Sequence, residues 1–155
     1  MIYCAGYTVS FQEVPDEISL VLLISECRYK CKGCHSPELQ VRNGRELTYK
    51  YLEELLSQYK DAVTCVCFMG EGTDISYTAM LANHIRNEYH LKTALYTGSQ
   101  DFFCPEIDRQ FDYIKLGQYI ERLGGLNKET TNQRMYQMQD GQAVDITNKF
   151  WKKYE

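Results

Sequence analysis

Apolar positions along the chain fall into short runs separated by polar, glycine-containing stretches, and the period within each run predicts the element it forms. Ile18 to Ser25 is aliphatic and β-branched with little alternation, the pattern of a strand covered on both faces. Thr48 is an N-cap for a predicted helix reaching about Tyr59, because Tyr51, Leu52, Leu55 and Tyr59 recur at three- and four-residue intervals. Ala62 to Met69 predicts a second strand, stopped by Gly70-Glu71-Gly72, whose glycines suit a tight turn. A second helix, from about Asp74 to Tyr89, carries Leu81, Ala82, Ile85 and Tyr89 on one stripe. Lys92 to Tyr96 predicts a third strand ending in Thr97-Gly98, and Phe111 to Leu116 a fourth, closed by Gly117. Beyond the Gly124-Gly125 turn the pattern weakens. Thr130 to Met138 is polar with aromatic punctuation, and Gln142 to Ile146 predicts a late strand.

Strands separated by helices of ten or more residues indicate parallel βαβ units, whose sites are built at the carboxyl ends of the strands. The chemically interesting residues here all follow predicted strand ends. The 155 residues suffice for one domain, expected over residues 1–155. The net charge of -4, without a Lys/Arg-rich block, argues against a nucleic acid or a membrane surface as partner. No basic segment leads into a long apolar one near Met1, and the apolar runs are too short to span a bilayer, so the cytoplasm is the expected location.

Three of the seven cysteines, Cys27, Cys31 and Cys34, form a CxxxCxxC triplet directly after the first predicted strand. An odd cysteine count and no export signal favour reduced thiols or metal ligands over a disulfide framework. A four-iron four-sulfur (4Fe-4S) cube takes one ligand per iron, so three thiolates leave one iron open to a small molecule. Zinc, with His35 or another histidine as fourth ligand, is the alternative, although His35 abuts Cys34 and no second ligand pair follows at the usual spacing. Cys65 and Cys67 share one face of a strand, which fits either a second metal site or simple packing. Cys4 and Cys104 are isolated.

The triplet and its setting resemble the cluster motif of the radical S-adenosylmethionine (SAM) superfamily. Five segments narrow the resemblance to the activating proteins of anaerobic (class III) ribonucleoside-triphosphate reductase. They are F11-Q-E-V-P-D-E-I-S-L20, C31-K-G-C-H-S-P-E38, F68-M-G70, K115-L-G-Q-Y119 and T130-T-N-Q-R-M-Y136. The resemblance implies an α/β fold of radical SAM type, a single-domain partial (incomplete) βα barrel of mostly parallel strands. It also implies a 4Fe-4S cluster and SAM as cofactors, reductive cleavage of SAM, and formation of a glycyl radical. The implied partners are the reductase's large subunit, through its glycyl-radical loop, and a flavodoxin or ferredoxin as electron donor. Another glycyl-radical enzyme as target, another radical SAM reaction, or a non-catalytic metal-binding module are the alternatives.

Site residues follow by position. Cys27, Cys31 and Cys34 hold the cluster. After the second strand the superfamily's Gly-Gly-acid motif is replaced by Met69-Gly70-Glu71-Gly72, so Gly70 and Glu71 are the candidates for the SAM ammonium group, with a solvated turn as the alternative for Glu71. Gly33 stands where the superfamily often has an aromatic residue, so only its backbone can meet the adenine, and His35 can supply the ring. Thr97 offers a hydroxyl for ribose or carboxylate, and Lys115 a cation for the carboxylate; a capping threonine and a solvated lysine are the alternatives. Asn132, Gln133 and Arg134 could grip an extended peptide of the partner or brace the end of the fold. Most of the 13 tyrosines are expected at half-buried positions.

Overall fold

The computed structural model describes residues 1–151; the last four residues of the expected 1–155 domain lie outside it. Eight strands form one sheet: β1 (Tyr3–Ser10), β2 (Ser19–Ile24), β3 (Arg45–Glu46), β4 (Cys65–Met69), β5 (Lys92–Tyr96), β6 (Tyr113–Leu116), β7 (Arg134–Gln139) and β8 (Gln142–Asp145). Their order across the sheet is β3-β1-β2-β4-β5-β6-β7-β8. Helices α1 (Tyr49–Tyr59), α2 (Ile75–Tyr89) and the single turn α3 (Pro105–Asp108) lie between β3 and β4, β4 and β5, and β5 and β6.

The partial βα barrel of mostly parallel strands is not what forms. Only β2, β4, β5 and β6 run parallel, and both flanks of the sheet pair antiparallel. The reason lies in the connections. A parallel crossover needs a dozen or more residues, usually with a helix, to return the chain to the same edge. The β1–β2 link spans only residues 11–18 and carries no helix, and β7–β8 is a hairpin turning at Asp140-Gly141.

The helix boundaries follow their caps. The Thr48 hydroxyl accepts from the Tyr51 amide, and Asp74 accepts from the Tyr77 amide. His90 closes α2 in the left-handed conformation at φ 57°. Two apolar layers enclose the parallel strands, which is why those strands do not alternate. Leu20, Leu22, Val66, Phe68, Leu95 and Ile114 pack with the helices, whereas Val21, Cys65, Cys67, Ala94 and Tyr113 pack with Val14, Met135 and Ile146. Cys65 and Cys67 are fully buried in this second layer. Among the described residues no helix is long and apolar enough to cross a membrane.

Candidate metal centre

The loop that leaves β2 is held at both ends by backbone. Ser25 donates to the Tyr3 carbonyl at 2.9 Å, and the Cys27 amide donates to the Leu39 carbonyl at 2.8 Å, closing the excursion over residues 27–39 against the buried Leu39. Inside it, Cys34 donates to the Cys31 carbonyl at 3.2 Å, and the Ser36 amide points at Cys34 Sγ at 3.4 Å. Gly44 lets the chain leave: a Cβ there would lie 2.0 Å from the Cys4 carbonyl oxygen. Cys27, Cys31 and Cys34 are free, partly exposed thiols on the wall of one cavity of about 330 Å³.

The opposite wall comes from the carboxyl ends of β4, β5 and β6. Three backbone bonds stitch these ends together: Gly70 to the Tyr96 carbonyl, Thr97 to that of Lys115, and Gly117 to that of Ser99, at 3.0, 2.9 and 2.7 Å. Gly70 has φ 120°, and a Cβ there would sit 3.0 Å from the Ile24 carbonyl oxygen. Beyond it Glu71 is buried, accepting from the Thr97 hydroxyl at 3.3 Å and facing Arg28 Nε at 3.5 Å. Arg28 in turn donates to the Tyr29 hydroxyl at 2.9 Å. The Tyr29 ring occupies the space left by Gly98, whose missing Cβ would be 2.6 Å away. Burial, followed by the Glu71 carboxylate, pushes the Tyr29 phenol above its ordinary pKa.

Lys115 lies at the back of the cavity, buried, with Nζ donating to the Gly117 carbonyl at 2.9 Å and 5.5 Å over the Tyr96 ring. Burial lowers its pKa to about 8, against the opposing pull of the nearby Cys31 and Cys27 sulfurs. The cysteine loop therefore has a cation behind it.

Of the residues singled out in the sequence, Cys27, Cys31, Cys34, His35, Gly70, Glu71, Thr97, Lys115 and Gln133 line this one cavity. His35 rests against Tyr119 with ring centroids 5.1 Å apart. Gly33 does not line it; at φ 76° it turns the chain before Cys34, and its missing Cβ would meet the Glu121 carboxylate at 2.9 Å. Gln133 is buried and donates to the Gly117 carbonyl at 3.3 Å. Asn132 sits beside the cavity, donating to the Gln118 carbonyl, with its Oδ1 buried and unpartnered. Arg134 is elsewhere, 3.7 Å from Asp145 and over the Trp151 ring. Sequence reading missed Arg28 and Tyr29, although both lie between Cys27 and Cys31, where a wall residue could be sought.

The donor set suits iron–sulfur chemistry. Three thiols on one wall, an amide aimed at one sulfur and a buried cation behind them are the features that hold and tune such a cluster. Residues 17–121, roughly two-thirds of the chain and all three cysteines, match the profile of the 4Fe-4S single cluster domain. The chain belongs to that family. No curated protein and no solved structure matches it. As a 4Fe-4S single cluster domain, the protein brings three of its cysteines, Cys27, Cys31 and Cys34, to one cavity within the matched residues. Cys65 and Cys67 belong to the core: burial pushes the Cys65 thiol up to about 12 and Cys67 well above the usual range, so neither offers a thiolate.

Proposed function

We propose that this 4Fe-4S protein is a radical SAM activase that installs a glycyl radical on the large subunit of an anaerobic ribonucleoside-triphosphate reductase. One observation carries the reading: a carboxylate, a hydroxyl and a buried ammonium, from Glu71, Thr97 and Lys115, line the same cavity as a cysteine triplet that leaves one iron without a protein ligand. An α-amino acid end group brings the complementary charges. Its ammonium pairs with Glu71, and its carboxylate lies toward Lys115.

A cluster held by Cys27, Cys31 and Cys34, once reduced, would supply the one electron needed for reductive cleavage of SAM and, through it, hydrogen removal from a glycine Cα of the partner. The chain's residues position and shelter this step. Arg28 lies at the cationic place beside Glu71, and its largely exposed side chain leaves room for a ligand ammonium to take that place. Tyr29 walls one side of the cavity, and the His35–Tyr119 pair contributes to its lining. Gln133, on the cavity wall, offers its side-chain amide toward an extended peptide at the open side, while Asn132, its Oδ1 buried, braces the cavity's edge through the Gln118 carbonyl. A cytoplasmic setting with a flavodoxin or ferredoxin donor completes the reading.

The test is anaerobic reconstitution with iron and sulfide, reduction, and addition of SAM together with the reductase large subunit. The expected result is 5′-deoxyadenosine and a glycyl doublet in the electron paramagnetic resonance spectrum of the large subunit. A reconstituted, reduced protein that leaves SAM intact would overturn the proposal.

A further inference from the structure

We infer that Lys30 and Lys32, which bracket the cluster ligand Cys31, form the docking surface for an acidic one-electron carrier protein. The inference rests on the cluster; the SAM chemistry adds only the requirement that an electron be delivered from outside.

The charge distribution points there. The chain carries a net charge of -4, yet the segment from Cys27 to His35 holds Arg28, Lys30 and Lys32 and no acidic residue. Arg28 is committed to Glu71. Lys30 and Lys32 are both exposed, and neither forms an ion pair among the described residues. Of the nearby acids, Glu26 is bonded to Arg42 at 2.9 Å, whereas the Glu121 carboxylate lies against Gly33, beside Lys32, and offsets part of the positive charge. Glu38, on the turn after the loop, is exposed and remains the one acidic residue flanking the surface in sequence.

The backbone supports the assignment. Lys30 has φ 46°, a left-handed conformation that favours glycine, yet a long cation stands there. Lys30 reaches the rim of the cavity, whereas Lys32 does not line it. The pair thus extends outward from the loop that binds the cluster, leaving the strand-end wall to the substrate. Unpaired cations beside a redox centre, on a protein of opposite net charge, steer an acidic carrier to the right face and speed its encounter. One electron leaves the carrier's reduced cofactor and is taken up by the oxidised cluster, with no bond made or broken.

The experiment uses the reconstituted protein and flavodoxin as the acidic probe. Affinity for oxidised flavodoxin is read from amide chemical shifts at low and high salt, and the rate of cluster reduction by reduced flavodoxin from visible bleaching. Photoreduced deazaflavin, small and uncharged, reports cluster reduction without docking. The Lys30→Glu/Lys32→Glu pair is expected to lose about ten-fold or more in both affinity and rate at low salt, the scale of electrostatic steering. Deazaflavin reduction should be unchanged, and wild-type affinity should fall with salt. Affinity that ignores either the substitutions or the salt would overturn the inference. So would a loss shared with deazaflavin in the Lys30→Gln/Lys32→Gln pair, which would assign the lysines to holding the cluster. Retained flavodoxin binding with lost binding of the reductase large subunit would give the surface to that protein instead. If docking stands while SAM stays intact, the activase reading fails alone.

Discussion

Cys31 and Cys65 carry the same side chain into opposite environments. Cys31 lines the cavity, partly exposed, whereas Cys65 is fully buried with its thiol pushed up to about 12. Metal binding needs thiolate, so reconstituted Cys31→Ser should fall well short of the about four irons per chain that one cube requires. Cys65→Ser should keep its iron; iron and sulfide assays with the visible spectrum decide the matter. Lys115 gives a second contrast. Its buried ammonium costs the fold stability, so Lys115→Met should raise stability by about 1–4 kcal/mol, as exchanges of buried charges for packed apolar groups can do. The same variant should bind SAM at least several-fold more weakly, which denaturant titration and calorimetry can show together. At this scale the cysteine triplet that shares the cavity was legible because its spacing is local. The Arg28–Glu71 pair was not, since it joins residues separated by β3, α1 and β4.

Among the elements, β5 was readable to the residue and both helices to within one, because hydrophobic period and caps agree there. β1 and β7 were not recognised as strands. In β7 only Met135 is fully buried, Tyr136 and Met138 packing half-buried against the other layer amid polar neighbours, so no apolar run announces it. The ends of the parallel strands matter more, and their glycines are not equivalent. Gly70→Ala would place a Cβ against the Ile24 carbonyl at a φ of 120°, and should destabilise the fold by about 1–3 kcal/mol, the range for strained backbone. Gly98 lies outside the left-handed region, and its close neighbour is the Tyr29 ring, a side chain that can move. Gly98→Ala should therefore leave the unfolding midpoint nearly unchanged while weakening SAM binding by displacing Tyr29 and the cysteine loop. Equal loss of stability in the two variants would show that both glycines serve only the fold.

For the whole molecule, helical and strand periods disclosed the βαβ centre but not how the sheet ends. Barrel and open sheet share the same local patterns, and they differ in the pairing of edge strands across long sequence separations. What ties the centre together lies at the end of the sheet away from the cavity. The buried Glu17 carboxylate accepts from Tyr113 at 2.6 Å, Thr64 at 2.8 Å and Lys92 at 2.9 Å, linking the start of β2 to β4, β5 and β6. Burial alone would raise its pKa; the bonds from Tyr113, Lys92 and Thr64 outweigh it and hold the carboxyl below its ordinary value. A carboxylate with a depressed folded-state pKa contributes stability that is complete above the unfolded value of about 4.3 and disappears as pH falls through the lower folded value. Glu17→Gln keeps the shape but removes the charge, leaving Lys92 without its anion. At pH 7 it should cost about 1–3 kcal/mol, the scale of a charge-assisted hydrogen bond. Below the unfolded value of about 4.3 the gap from wild type should narrow, closing as pH falls through the lower folded value and wild-type Glu17 is protonated. Urea titrations across that range give the answer, and a gap independent of pH would mean that shape, not charge, is what Glu17 contributes at the foot of the sheet.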